Sequence, residues 1–345
     1  VAQVLAGAGY VTGVVGKWHL GAVPHFHPNR RGFTEYFGLI GGGHDYFRCN
    51  PPGETREYYI PLQRNQTEEC FDGYLTDVLT QEAVSFIKRH RDEKFFLYLA
   101  YNAPHAPLQI AQERLSRVAQ IDDPVRKSYA VMVCVLGDGV GKVWDTLAEL
   151  DLADDTVVFF LSDNGGPVEV THSSNAPLRG AKGSVYEGGI RVPFVVTWKG
   201  VLKPGTTYDQ PVVSLDIPAT SAAMAETSFP DDPGLDGVNI MPFLSGEKSS
   251  PPHAALFWRT GGGRTAAVRQ GVWKWVQQGK HPDELYRLDS DIGESQNLSK
   301  SNPDKAKELR TLYAAWDREN IPPLFESPPN LKKKRGPARP DPLAL

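Results

Sequence analysis

Val11-Thr12-Gly13-Val14-Val15 runs straight into Gly16-Lys17-Trp18-His19-Leu20-Gly21, and the fold is decided at this junction. The first half is rich in β-branched residues and apolar on both alternating faces, as a strand covered on both sides must be. The second half is polar and bounded by glycines. In open α/β sheets ligands bind outside the carboxyl ends of the strands, so the residues just past such a run are the first place to look for chemistry. Lys17 and His19 are two apart, which in extended backbone projects both to one side and Trp18 to the other. A cation and an imidazole aimed together suit an anion. Spacing alone leaves open a plain strand end with two solvated polar residues.

Further along the chain, residues 95–101, 156–161 and 192–198 repeat the strand pattern, while 77–90 and 128–150 carry apolar residues at helical spacing. Residues 1–10 read as a helix leading into the first strand. The pattern predicts an α/β fold with a central, mostly parallel sheet sandwiched by helices over 1–245. A Pro-containing stretch near 244–252 reads as a linker. Beyond it, 254–259, 264–269 and 272–277 alternate like antiparallel strands, with Gln270-Gly271 as the hairpin turn, and 304–319 is helical in pattern. This predicts a small α+β subdomain over 252–323. A Pro-rich basic tail over 327–345 is expected to be disordered.

The composition is that of an ordinary globular protein: 345 residues, 40% hydrophobic and 23% charged. A net charge of -4 gives no long-range pull toward nucleic acid or anionic membrane. No apolar run approaches the roughly 18 to 20 residues of a membrane span, so neither nucleic acid nor membrane insertion is expected. Cys49, Cys70 and Cys134 form no C-x-x-C pair; Cys134 sits in an apolar run, and Cys49 and Cys70 flank a loop-like stretch that a disulfide could close.

Two more polar stretches follow apolar runs, and a Gly-rich loop precedes one. Asn102-Ala103-Pro104-His105-Ala106-Pro107 holds His105 between two prolines, which restrict the backbone and suit an acid-base group. Ser162-Asp163-Asn164-Gly165-Gly166 offers the hard oxygen ligands that calcium or magnesium prefer, although an Asn-Gly turn has the same spelling. If the strands are neighbours, Lys17, His19, His105, Asp163 and Asn164 converge on one crevice. The Gly-rich loop 175–191 carries Lys182 and lets backbone and cation approach an oxyanion. It lacks the order of a P-loop, and no G-x-G-x-x-G follows a strand, so nucleotide binding explains it poorly.

In this order, Gly16-Lys17-Trp18-His19-Leu20-Gly21, Asp163-Asn164-Gly165-Gly166 and 178–191 resemble the type I sulfatase family, whose fold is related to alkaline phosphatase. The resemblance extends through Gly32-Phe33-Thr34-Glu35-Tyr36-Phe37-Gly38 and into Trp273-Lys274, Glu284-Leu285-Tyr286 and Glu294-Ser295-Gln296-Asn297-Leu298. It implies hydrolysis of sulfate esters by a hydrated formylglycine made from the cysteine of a C-x-P-S-R motif. It also implies that Asp163 and Asn164 bind one Ca2+, that Lys17 holds the hydrate and its sulfate adduct, and that His19 is the base of the collapse step. His105 and Lys182 should contact sulfate, one of them protonating the leaving oxygen. Gly41-Gly42-Gly43-His44-Asp45-Tyr46 resembles a stretch of sulfatases acting on sulfated sugars, so His44, with His172, is a candidate for the leaving-group pocket.

None of the three cysteines is followed by x-Pro-Ser-Arg, and the paired acidic ligands of a sulfatase N-terminus are missing. The nucleophile and the remaining calcium ligands are therefore expected upstream of Val1, and the chain alone is expected to be inactive. The expected partner is a sulfated small molecule or glycan, and the resemblance implies an extracytoplasmic location; the oligomeric state is not legible. Two rivals stay open. A phosphatase or phosphodiesterase of the same superfold would have Asp-His where this chain has Asp163-Asn164. A non-catalytic protein could keep the fold to bind sulfated glycans.

Overall fold

The computed structural model describes residues 1–49, 61–229 and 234–324. The tail expected at 327–345 lies outside the described residues. The strands are Val11–Lys17 (β1), Glu35–Leu39 (β2), Gln63–Arg64 (β3), Thr67–Glu68 (β4), Phe95–Ala100 (β5), Val158–Leu161 (β6), Phe194–Thr197 (β7), Leu256–Thr260 (β8), Thr265–Gln270 (β9), Trp273–Gln278 (β10) and Glu284–Arg287 (β11). The helices are Ala2–Gly7 (α1), Leu75–Arg89 (α2), Pro124–Glu149 (α3), Val168–Thr171 (α4), Glu187–Ile190 (α5), Asp216–Met224 (α6), Met241–Leu244 (α7) and Pro303–Glu319 (α8). The residues gather into two compact units. One comprises Val1–Phe159, Val196–Tyr208 and Val212–Ser250; the other comprises Phe160–Val195, Asp209–Pro211 and the chain from Pro251 on. The second unit thus takes in residues 160–195 along with the C-terminal strands and helix.

The first unit is built on a five-stranded sheet of order β4-β3-β2-β1-β5. β1 is parallel to both β2 and β5, whereas β2-β3 and β3-β4 are antiparallel, so the sheet is mixed, with its parallel part around β1. Only two of the four sequence-predicted runs, 11–15 and 95–101, lie in it; those at 156–161 and 192–198 become β6 and β7 and pair with each other. Alternation along β1 and β2 feeds two cores. Val15, Phe37 and Leu39 join Leu75, Leu79 and Met132 on one face, while Val14 and Tyr36 join Ala2, Trp18 and Phe33 on the other. α2 buries Leu75, Leu79, Ala83, Phe86 and Ile87 at helical spacing, with Asp77 in its first turn and Lys88 and Arg89 in its last, complementing the helix dipole. α3 starts where Asp123 accepts a hydrogen bond from the Arg126 N–H at 2.6 Å, with Pro124 at the first helical position.

In the second unit β11-β10-β9-β8 form an antiparallel sheet. α8 covers one face through Ala306 and Leu309, packed with Val268, Trp275 and Leu285. The other face packs Ala267, Val276 and Tyr286 against Val185 and Tyr186 of the Gly-rich loop. The β9–β10 turn falls one residue later than the sequence suggested: Gln270 pairs with Trp273, and Gly271, at φ 56°, occupies the loop with Val272. Cys49 and Cys70 are not bridged; the Cys49 sulfur accepts the Phe71 N–H at 2.8 Å.

Candidate active site

The predicted residues divide between the units. Lys17, His19, His44 and His105 belong to the first; Asp163, Asn164, His172 and Lys182 belong to the second.

Lys17 ends β1, opposite Leu39 of β2 and one residue past the Gly16–Ala100 register with β5. It therefore stands at the carboxyl edge of the parallel strands, where the topology rule puts ligands. The strands close tightly there. A Cβ on Gly16 would lie 2.0 Å from the Ala100 carbonyl oxygen, and one on Gly38 would lie 1.9 Å from the Gly16 oxygen. Trp18 points into the core, its Nε1 donating to the Phe26 carbonyl at 2.9 Å, while Lys17 is half-buried and His19 exposed. The expected alternation holds, but the extended backbone does not reach His19, whose φ is 52°. The His19 N–H donates to Ile40 O at 3.1 Å and its ring lies over Gly42, where a Cβ would sit 2.7 Å from Nε2. Gly42 is thus needed for His19 to keep its place.

His105 sits in the loop directly after β5, half-buried, its N–H donating to Asn102 O at 2.9 Å. Its Nδ1 is 2.7 Å from Ala106 O, which assigns the Nδ1 proton and leaves Nε2 as the atom for proton exchange. The Tyr46 hydroxyl donates to His105 O at 2.9 Å. Gln109 joins this loop to the 44–46 stretch: its Oε1 accepts the Tyr46 N–H and its Nε2 donates to Asp45 Oδ2, both at 2.8 Å. Nothing in the spacing of Gln109 announces that role. His44 is fully buried, with Nδ1 2.7 Å from Asp45 O and its ring edge-on to Phe71. Burial pushes its imidazole below the usual histidine range, against the pull of Asp45.

In the second unit Asp163 is exposed and Asn164 half-buried. The Asn164 amide nitrogen donates to Gly165 O at 3.0 Å, so its oxygen is the atom available to a cation. The motif loop is stitched to the Gly-rich loop by backbone. The Gly165 N–H donates to Gly189 O at 3.0 Å, a Cβ on Gly165 would lie 1.8 Å from Gly188 O, and the Lys182 N–H reaches Gly166 O at 3.4 Å. Asn175 completes the seam, accepting the Gly166 N–H at 3.0 Å and donating to Gly166 O and Gly180 O. Lys182 is exposed; so is His172, which closes α4 in the left-handed region at φ 49°.

Asp163 and Asn164 match calcium in kind, being hard oxygen donors, but calcium takes about six to eight oxygens. Among the described residues no group of three or more His, Cys, Asp or Glu side chains could hold a metal. The pair can therefore be only part of a coordination shell.

The family model for Sulfatase matches residues 1–227. The uncharacterized sulfatase YdeN of Escherichia coli (strain K12) is 33% identical over 371 residues, covering 92% of this chain and 66% of that protein. Human N-acetylgalactosamine-6-sulfatase is 33% identical over 317 residues, covering 86% of this chain and 58% of that protein. The chain thus spans less than two thirds of these curated relatives. A crystal structure of Ps i-CgsB in complex with k-i-k-neocarrahexaose superposes with a TM-score of 0.88 at 36% identity, covering 94% of this chain and 75% of that one.

Proposed function

The chain belongs to the sulfatase family, and on that premise we propose that the whole protein hydrolyses sulfate esters on a carbohydrate. The observation that carries this reading is that cationic and imidazole side chains stand on loops held by specific backbone contacts within the family-matched span. Lys17 ends β1 and His19 follows two residues on, while Lys182 shares a stitched seam with Asp163 and Asn164. Charge that builds on a sulfuryl group and a leaving alkoxide is best stabilised by cations fixed in advance, because no reorganisation is then needed.

In this proposal Lys17 and Lys182 bind sulfate oxygens and hold their charge, and His19 accepts a proton. His105 delivers one from Nε2 to the leaving oxygen, its Nδ1 proton being committed to Ala106 O. Asp163 and Asn164 would hold one calcium ion, which as a Lewis acid would polarise a sulfuryl oxygen. The formylglycine nucleophile expected from the family matches none of Cys49, Cys70 and Cys134. The catalytic domain would span 1–245 and the C-terminal subdomain 252–323, at an extracytoplasmic location. No helix among the described residues is long and apolar enough to cross a membrane.

For the substrate we favour a sulfated galactose-type sugar. Support comes from the N-acetylgalactosamine-6-sulfatase relatives and from the neocarrahexaose bound by Ps i-CgsB. In this proposal His172, exposed on its turn, would contact such a sugar, whereas His44, being buried, would act only through the residues packed around it. The test is release of inorganic sulfate and of phosphate by the whole protein, from neocarrahexaose and from N-acetylgalactosamine 6-sulfate and its phosphate analogue, with and without chelator. Chelator-sensitive sulfate release is expected. Preferential phosphate release would favour the phosphatase reading, and binding without release the glycan-binding one.

A further inference from the structure

The deepest charges in the second unit are not among the residues assigned above. Lys274, on β10, is fully buried, with Nζ 2.8 Å from Glu187 Oε1 and 2.8 Å from Glu294 Oε1. Glu294 is also fully buried and adopts φ 52°; its Oε2 accepts the Glu187 N–H at 2.7 Å, and its carbonyl accepts from Arg179 at 3.0 Å. Glu187 opens α5, and its Oε2 lies 3.6 Å from Arg269 and 3.7 Å from Arg191. A buried ion pair gains little stability over a well-packed apolar one, because desolvating both charges offsets most of their attraction. Three such groups at one point therefore ask for a reason other than stability.

The reason lies in what Glu187 carries. The next two residues, Gly188 and Gly189, are the ones Gly165 packs on and donates to. Gly188 N–H in turn donates to Arg179 O at 2.7 Å, and a Cβ on Gly188 would fall 2.6 Å from both Arg179 O and Gly180 O. Both glycines approach backbone too closely for any slack, so a shift of α5 is passed to the 163–166 loop on one side and to the 179–182 loop on the other. Lys274 and Glu294 come from the C-terminal sheet and the loop after it, more than eighty residues along the chain.

We propose that Lys274, Glu187 and Glu294 form a buried clamp by which the C-terminal sheet positions Asp163, Asn164 and Lys182. This deepens the sulfatase reading and rests on it. The three are positioning residues, since none of them reaches the exposed surface where Asp163 and Lys182 stand.

The experiment makes Glu294→Gln and Lys274→Met in the whole protein, with Lys274→Arg as the conservative control, and reads hydrogen exchange by mass spectrometry beside kinetics. Glu294→Gln keeps the shape and is the variant to rely on where Lys274→Met fails to fold. In Glu294→Gln, exchange in peptides spanning 162–190 should quicken about tenfold, while peptides within 265–278 stay protected. In the same variant kcat should fall about 100-fold with KM little changed, since a small misplacement of reacting groups costs about that much, and Lys274→Arg should keep more activity than Lys274→Met. In Glu294→Gln, unchanged exchange over 162–190, or an equal rise across the whole second unit, overturns the clamp. If exchange responds locally but the unmodified protein releases no sulfate, the clamp stands and the sulfatase reading falls.

Discussion

The two units hold their polar residues in different ways. In the first, Lys17 and His19 are placed by backbone, a parallel ladder with glycines in close backbone contact, and the His105 loop is tied by hydrogen bonds of Gln109 and Tyr46. In the second, Asp163, Asn164 and Lys182 sit on irregular loops whose backbone seam is anchored to a sheet by buried charge. Regular structure positions a side chain cheaply, because its hydrogen bonds are made anyway. A loop has no such ladder, and here the substitute is a group of ions sealed from water.

The largest effect is expected of Lys274→Met, which leaves Glu187 and Glu294 buried without their cation. It should destabilise the second unit by about 3–5 kcal/mol, read as a displaced denaturant midpoint. Adding Glu294→Gln should recover part of the loss, because neighbours in one network are not additive. The counterpart in the first unit is Gly16→Ala. With φ at 113° and a carbonyl 2.0 Å from the new Cβ, it should lose about 3 kcal/mol, near the top of the overpacking range. A midpoint unchanged in either variant would contradict the corresponding half of the contrast.

Acid titration separates the units by sign. Burial pushes the Glu294 carboxyl above the usual range, against the pull of Lys274. A raised carboxyl contributes stability that is complete below its unfolded pKa, near about 4.3, and lost as pH rises through the folded value. Glu294→Gln should therefore gain on the unmodified protein as pH rises from acid toward neutral, with a slope of at most about 1.4 kcal/mol per pH unit between the unfolded and folded values. In the first unit Glu35 behaves oppositely. Burial raises its carboxyl, but the bonds from Arg89 and His90 outweigh burial and hold it below the usual range. Its contribution is present above the unfolded pKa and lost as pH falls through the depressed one. Glu35→Gln should cost less than about 1 kcal/mol at neutral pH, the pair being partly solvated, and nothing in strong acid. Thermal midpoints from pH 3 to pH 8 for both variants would show the two opposite slopes or refute them.

How much of this was legible in the sequence follows the same division. β1, β5, α2, α3 and α8 announce themselves, since each is long or strongly patterned and its buried face is continuous in sequence. β2 begins within the stretch 32–38 yet does not read as a strand, because Gly38 breaks its apolar pattern; that glycine is what lets β2 approach β1. α6 escapes for a different reason: Pro218 and small residues blur its period, and it is held by Asp216, which accepts the Val213 and Val238 N–H groups. The Asn65-Gln66-Thr67 and Asn297-Leu298-Ser299 triplets, which fit glycosylation sequons, have structural work for their asparagines: Asn65 accepts the Tyr36 N–H and Asn297 the Leu285 N–H. The candidate site residues stood out by residue type and by their place after apolar runs. Their supports were less legible: Gln109 and the Lys274 cluster act across long stretches of chain that no local pattern spans, although Lys274 and Glu294 fall within stretches of the resemblance, and Asn175 acts locally on Gly166 and Gly180 through an amide that no pattern marks.

The decisive measurement compares His105→Ala with the unmodified whole protein on two substrates, a sulfated sugar with a poor leaving group and a nitrophenyl sulfate with a good one, by direct detection of sulfate. If the protein is a carbohydrate sulfatase with His105 as the proton donor, sulfate is released from both. The substitution then lowers kcat/KM on the sugar by about 10² to 10⁴ and leaves the nitrophenyl ester far less affected. Absence of sulfate release from either substrate by the unmodified protein would contradict the sulfatase reading, and an equal loss on both would remove His105 from the proton-transfer step.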